Sequence, residues 1–140
     1  MAYISQEEKK QLAPKINAVL TKYGCKGSIS IKHYSKLQVT IKSSKIDFCE
    51  LVYKILLDRS YYRNEAIKPA HVDINHHSIS DDLRRLGYEK ESRFFDELIA
   101  AMRGNDWYDR SDLMTDYFDT AYYLGISIGR YDQPFKHVLN

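Results

Sequence analysis

The chain has few cysteines and no long apolar run, the features of disulfide-rich and membrane-spanning proteins. Its 140 residues include two cysteines, three prolines, six glycines and one tryptophan. No apolar run approaches the ~20 residues that a membrane-spanning helix requires, and the first residues lack the basic start and apolar stretch of a signal peptide. We therefore expect a cytoplasmic protein that does not associate with a membrane.

The two cysteines do not form a recognisable metal or redox motif. Cys25 and Cys49 make no CxxC pair, so we expect reduced thiols packed as small apolar groups. A chain of this length, with 44% apolar residues, is able to build a core without a disulfide or a metal. The sequence thus predicts one globular domain over residues 1–140.

Motifs of the common catalytic classes are also absent. No GxSxG, HExxH, Walker or GxGxxG pattern occurs, so nucleophilic, hydrolytic and nucleotide-dependent chemistry lack a signature. His71, Asp73, His76 and His77 are the densest group of potential metal ligands, but adjacent histidines tend to diverge. We expect no metal, no cofactor and no catalytic residues. An enzyme would require His71, Asp73 and His76 to converge in a polar pocket.

Charge is distributed unevenly along the chain. Residues 1–62 carry 11 Lys or Arg and 5 Asp or Glu, net +6, whereas residues 63–140 carry 10 and 14, net −4. The stretch 22–45 contains six lysines and no acidic residue, and five aspartates between 106 and 119 surround only Arg110. Two such patches meet different partners if they fold apart, and neutralise each other if they fold together.

The first residues predict a helix. Ser5 with Glu8 forms a capping box, and apolar residues follow at helical spacing as far as Tyr23. Pro14 interrupts this pattern, which predicts either a kink or a short turn over 5–11 followed by a helix with Pro14 in its first turn.

A hairpin and a second helix come next. Residues 28–33 and 37–42 alternate apolar with polar side chains, which predicts an antiparallel hairpin. Asp47 with Glu50 repeats the capping signature before an apolar stripe that ends near Arg59.

The rest of the chain predicts two more strands and two more helices. Val72 and Ile74 mark a short third strand, and Ser80 is expected to cap a brief helix. A longer helix is expected at about 90–103, and residues 121–129 alternate as a fourth strand.

Together these elements predict an α+β fold, a single two-layer domain with an antiparallel sheet of about four strands and amphipathic helices on one face. The other face is then expected to face water and to offer a binding surface. It would carry Ser30, Lys32, Gln38, Thr40, Lys42, Asp73, Tyr123 and Ser127.

The acidic segment is also rich in aromatic residues, and it suggests a surface that binds a basic protein. An aromatic side chain ringed by acids is typical of a hot spot, whereas the glycine and closing glutamate of a calcium loop are missing. The alternative is a loop pinned to the domain by its own aromatic residues. The candidate partner-binding residues are Asp106, Trp107, Tyr108, Asp109, Asp112, Asp116, Tyr117, Phe118 and Asp119.

The basic stretch supports a second hypothesis, a nucleic-acid-binding module. Lysines would contact phosphates, and Tyr34 or Tyr123 would stack on bases. The near-neutral overall charge counts against it, and ordinary solvated surface is the simpler alternative for either patch. The candidate residues are Lys26, Lys32, Tyr34, Lys36, Lys42 and Lys45.

Most of the chain resembles a family of small α+β domains carried by bacteriophages and conjugative elements, the "large polyvalent protein associated" type. The resemblance lies in residues 16–31 and in the motifs NDWYDRSD at 105–112, TDYFD at 115–119 and IGRYDQPF at 128–135. Residues 37–48 are similar to a hairpin-to-helix segment of an anti-CRISPR inhibitor of a CRISPR effector nuclease.

The resemblance implies a role in conflict between mobile elements and bacterial defences, and it carries no established catalytic residue. Our leading expectation is a phage or mobile-element accessory protein in the bacterial cytoplasm. It would bind and inhibit a host defence protein or ribonucleoprotein, such as a CRISPR effector, through the acidic aromatic segment.

Overall fold

The structure, a computed structural model, describes residues 2–59, 67–109 and 120–138. Helices and strands combine in an α+β fold whose sheet is mixed. No helix in this described part has the length and apolar character needed to cross a bilayer. The elements are α1 (Gln6–Lys22), β1 (Cys25–Lys32), β2 (Lys36–Ser44), α2 (Phe48–Arg59), β3 (Val72–Ile74), α3 (Ile79–Arg85), α4 (Glu89–Arg103), β4 (Tyr123–Ile128) and β5 (Lys136–His137).

The predicted cap of α1 is confirmed. The Ser5 hydroxyl accepts a hydrogen bond from the backbone N–H of Glu8 at 3.1 Å, which satisfies one donor of the first turn. The helix continues through Pro14 to Lys22, so no separate turn forms over residues 5–11. Ile16 and Leu20 lie one turn apart on the same face of α1, and their burial holds the helix against the core.

The start of α3 differs from the prediction. The helix begins at Ile79, and its N-terminal neighbour Ser78 makes no side-chain cap. Ser80, the predicted cap, instead places its hydroxyl 2.7 Å from that of Ser92 on α4. Ser80 lies two residues past the N-cap position, so its hydroxyl bonds to the buried Ser92 of the neighbouring helix instead of capping α3.

The predicted hairpin is confirmed as β1 and β2, which pair antiparallel with Ile29 opposite Val39. Its turn places His33 and Tyr34 at positive φ, 53° and 59°. Few residues other than glycine adopt this left-handed conformation, although histidine does so more readily than most. The turn that carries Tyr34 therefore has a strained backbone conformation at two residues.

The prediction of a wholly antiparallel sheet is wrong. The strand order is β1-β2-β4-β3, with β4 parallel to β2 and antiparallel to β3, and β5 also pairs parallel with the end of β2. Three helices and β3 separate β2 from β4 in the chain, and a connection of that length returns the chain to its starting edge before β4 begins. The last long strand is thereby inserted in the middle of the sheet.

One core joins the four helices to one face of the sheet. Alternate residues of the central strands, such as Val39 and Ile126, are almost wholly buried there. The rings of Phe48, Phe94 and Phe95 pack against one another at centroid distances of 5.0–5.5 Å, in the tilted and edge-to-face arrangements that aromatic rings favour.

Both cysteines lie in this core and are not joined to each other. Burial raises the pKa of the Cys25 thiol, and it raises the pKa of the Cys49 thiol to about 11. The prediction of two thiols packed in the core is thus confirmed. A thiol of raised pKa supplies little thiolate near neutral pH.

Tyr122 anchors the end of α4. Its hydroxyl lies 2.5 Å from the carbonyl oxygen of Met102 and 2.9 Å from that of Arg103, carbonyls that have no partner within the helix. We expect Tyr122→Phe to lower the free energy of unfolding by about 1–2 kcal/mol, because a buried hydrogen bond is lost. Urea denaturation measures the change, and Tyr123→Phe is the matched control at an exposed neighbour.

The same contact predicts a pH dependence. Burial raises the pKa of Tyr122 from 10 to about 12, so the folded state favours the neutral phenol. Its contribution is fully present below pH 10 and is lost as the pH rises toward 12. Stability of Tyr122→Phe should fall less over that range than that of the parent; an equal fall in both proteins would contradict the assignment.

Candidate nucleic-acid interface

The strand registers place a set of polar residues on the sheet face opposite the core. Lys36 lies between Lys32 of β1 and Tyr123 of β4, and Thr40 lies between two serines. Residues that pair across strands share a face, so the predicted grouping is confirmed. This surface, which we call the polar face, carries Ser28, Ser30, Lys32, Lys36, Gln38, Thr40, Lys42, Asp73, Tyr123, Gly125 and Ser127.

The prediction that the polar face is exposed to water is wrong for its centre. Gln38 is only 7% exposed, and Thr40 and Ser127 are also buried. The Gln38 side-chain amide donates to the Ser127 hydroxyl at 2.6 Å, and that hydroxyl donates to Asp73 at 2.9 Å. These hydrogen bonds supply partners within the protein for the side chains of Gln38, Ser127 and Asp73.

A glycine in β4 makes this arrangement possible. A Cβ atom added to Gly125 would lie 2.2 Å from Oε1 of Gln38 and 2.5 Å from Cε of Lys36. Both side chains therefore lie flat across the backbone of Gly125. The lack of a side chain at Gly125 thus positions Lys36 beside β4.

The lysines of the hairpin have no acidic partner among the described residues. Within the described ranges no ion pair involves any of the five candidate lysines, whereas Lys22 contacts Glu97 at 2.6 Å. Lys32, Lys36 and Lys42 share the polar face by register and strand alternation. The remaining two lie apart from it, since Lys26 sits at a bulge in β1, and Lys45 follows β2 and packs on Gly24.

Four exposed tyrosines lie on neighbouring segments at the end of the sheet that holds the hairpin turn. Their exposed fractions are 58% for Tyr3, 79% for Tyr34, 36% for Tyr108 and 48% for Tyr123. We call these four residues the tyrosine end.

Backbone hydrogen bonds hold the tyrosine end together. Tyr3 donates to Ala121, Ile4 donates to Tyr34, and Tyr123 donates to Ser35, at 2.7–2.9 Å. Ala121 also donates to Tyr108 at 2.9 Å. Segments that are far apart in the sequence thus present their aromatic rings on one rigid support.

The acidic aromatic segment begins beside the tyrosine end. Trp107 is half-buried, donates from its indole N–H to the Tyr122 carbonyl at 2.7 Å, and has the Arg103 guanidinium 4.6 Å from its ring centre. Asp106 is exposed, and Asp109 accepts a hydrogen bond from the Thr120 hydroxyl at 3.0 Å. The other candidates, Asp112, Asp116, Tyr117, Phe118 and Asp119, lie outside the described residues.

The described histidines are not gathered with other potential metal ligands of the described residues. The described residues contain no group of three or more histidine, cysteine or acidic side chains that could hold a metal ion. His76 stacks on His77 at 4.0 Å, while Asp73 is engaged by Ser127. Burial, followed by the nearby charges of His77 and Arg103, lowers the pKa of His76 to about 4, so this ring is neutral near pH 7.

Two residues of this region were missed by reasoning from the sequence. Tyr3 precedes the first helix and belongs to no periodic pattern, and Arg103 resembles any basic residue in the last turn of a helix. The only signal was the apolar pair Tyr3-Ile4 ahead of the Ser5 cap, of which Ile4 is buried.

Comparison of the chain with models of protein families, with curated proteins and with solved structures finds no match. The resemblance to domains carried by mobile elements stays a prediction.

The support of the polar face is testable through Gly125. We expect Gly125→Ala to displace Gln38 and break its hydrogen bond to Ser127, at a cost of about 1 kcal/mol. In a Gln38→Ala background the same substitution should be less costly by a similar amount, because the clashing atoms of Gln38 are gone and only the flexible end of Lys36 has to move. Urea denaturation of the four proteins gives the coupling; additive effects would contradict the described contact.

Proposed function

We propose that this protein binds single-stranded nucleic acid across the polar face and the tyrosine end. The observation that carries the proposal is the placement of exposed Tyr34 and Tyr123 beside Lys32 and Lys36, lysines that have no acidic partner in the described part of the chain.

The lysine pair supports phosphate binding. Lys32 and Lys36 are direct partners across the hairpin, where side chains start about 5 Å apart and like charges repel. A neighbouring carboxylate would relieve that repulsion, and none of the described carboxylates is in contact with either lysine. An external anion such as a backbone phosphate would relieve it instead, with release of counterions from the nucleic acid.

The exposed rings support binding of unpaired bases. Tyr34 projects from the hairpin turn and Tyr123 from a central strand, and backbone hydrogen bonds anchor both. Bases in a duplex are already stacked on each other, whereas those of a single strand are free to stack on aromatic side chains. Rings on a rigid support also lose little conformational freedom on binding.

Removal of the lysine pair tests the electrostatic part. For Lys32→Ala/Lys36→Ala we expect weaker binding to a fluorescent single-stranded oligonucleotide. We also expect the slope of log affinity against log salt to become shallower by about 1.4, since each phosphate contact on a single strand contributes roughly 0.7. Fluorescence anisotropy at several salt concentrations measures both quantities.

The control is Lys10→Ala/Lys90→Ala, which removes the same charge from exposed positions on α1 and α4. An equal effect of the two double substitutions would show that only net charge matters. Equal affinity of the parent for single and double strands would contradict recognition of unpaired bases.

Substitution of the turn tyrosine tests stacking. Tyr34→Asn removes the ring, while asparagine tolerates the positive φ at this position. We expect the affinity for a single strand to fall by about 5- to 100-fold, the range for loss of one stacked base, with unchanged stability. Tyr131→Asn is the matched control, an exposed tyrosine beyond the opposite end of β4; if it has the same effect, stacking at Tyr34 is excluded.

A second candidate is the inhibitor of a host defence component. It is favoured by one observation: Thr120 bonds to Asp109 and Ala121 bonds to Tyr108, so the described residues that flank positions 110–119 in the sequence lie next to each other. The five aspartates between 106 and 119 would complement a basic channel built for nucleic acid.

A pull-down from bacterial lysate tests this candidate. Amide substitutions at Asp106, Asp112, Asp116 and Asp119 should abolish capture of the partner, because they remove charge with little change in shape. Capture that withstands these substitutions would exclude the acidic segment as the binding surface.

A further inference from the structure

We propose that a cavity next to the tyrosine end binds a nucleoside monophosphate, either free or as the end of a strand. The cavity has a volume of about 560 Å³ and lies between α1, the end of α4 and residues 105–108. This volume is within the range of roughly 300–1,000 Å³ that small-molecule sites occupy. The proposal does not depend on the lysines of the polar face, so the two proposals are able to fail separately.

Aromatic side chains line the cavity and are held in place. Trp107 is fixed by its bond to the Tyr122 carbonyl, and Tyr122 by its hydroxyl bonds to the end of α4. Tyr3 is tied to Ala121 through the backbone, and Tyr108 completes the aromatic lining. Such walls suit a flat, weakly hydrated group such as a nucleobase, because stacking then costs little reorganisation.

Arg103 indicates that the ligand carries a negative charge. Its Nε atom is buried and has no hydrogen-bond partner, and its guanidinium forms no ion pair with the described residues. A buried donor without an acceptor is costly. Arg103 is one of the residues that line the cavity, and the carbon of its guanidinium lies 4.6 Å from the centre of the Trp107 ring. A phosphate bound there would supply the anionic partner that the guanidinium lacks among the described residues.

The other charged residues of the cavity complete the match. Lys15 adds a second cation for the phosphate, while the carboxylates of Glu8 and Asp106 are acceptors for the hydroxyl and amino groups of a nucleoside. A basic peptide would use the carboxylates but would leave Arg103 unsatisfied and repelled. The uncompensated arginine therefore favours the nucleotide.

The single tryptophan of the chain lines this cavity, so its fluorescence reports on occupancy. We expect a saturable change in Trp107 emission on titration with adenosine monophosphate and a weaker response to adenosine. Arg103→Met should weaken binding by about tenfold or more, the effect of removing a charge-assisted hydrogen bond. Arg93→Met, at an exposed position on α4, should leave it unchanged.

Lys15→Met is a second test variant should Arg103→Met fail to fold, and it should also weaken the response. Competition against bound adenosine monophosphate distinguishes the two sources of the ligand. Displacement by a 5′-phosphorylated oligonucleotide, but not by its 5′-hydroxyl form, assigns the site to the end of a strand. No displacement by either oligonucleotide assigns the site to a free nucleotide. Absence of a saturable response at millimolar nucleotide, equal binding of adenosine, or binding of an arginine amide instead would overturn the proposal while leaving the polar face untouched.

Discussion

The parallel pairing of β2 with β4 is the constraint on which the proposed surface depends. It brings Lys36 beside Tyr123 and Gln38 beside Gly125, although these residues are more than 80 positions apart in the sequence. Parallel strands require a crossover connection, and α2, β3, α3 and α4 lie in the chain between β2 and β4. If β4 lay at the edge of the sheet and were not paired with β2, Tyr123 would not be adjacent to Lys36 of the hairpin.

The polar face combines a satisfied centre with unsatisfied ends. Gln38, Ser127 and Asp73 bond to one another and hold the middle strands together, as a polar network does when every member has a partner. The charged residues at the hairpin end have no such partners in the described part of the chain. Rigidity at the centre and unused charge at the rim are the combination that a pre-organised binding surface requires.

At the tyrosine end, backbone hydrogen bonds join the segments that carry the exposed tyrosines. Residues 3–4, the hairpin turn and residues 121–123 are joined by main-chain hydrogen bonds, so the fold sets where the backbone of each tyrosine lies. Trp107 and Arg103 are anchored next to this end by a hydrogen bond and by stacking. The proposed strand-binding surface and the proposed nucleotide cavity are therefore neighbours that share Tyr3 and Tyr108.

Local features were predictable from the sequence because local chemistry determines them. The Ser5 cap, the hairpin and the alternation that assigns Tyr123 and Ser127 to one face all follow from spacing. The central position of β4 was not predictable, since alternation indicates a strand but neither its neighbour nor its direction. Tyr3 and Arg103 were missed because their roles come from contacts across the fold, and Gln38 was expected to be exposed because its bond to Ser127 spans two strands.

Photo-crosslinking tests the central claim most directly. A single-stranded oligonucleotide containing 5-bromouracil, irradiated in complex with the protein and analysed by mass spectrometry, should attach to peptides that contain Tyr34 and Tyr123. The helical tyrosine Tyr53 should remain unmodified, because it lies on α2 and away from the polar face. Crosslinks confined to the helices, or no crosslink under conditions of saturation, would contradict the assignment of the polar face and the tyrosine end as the site of binding.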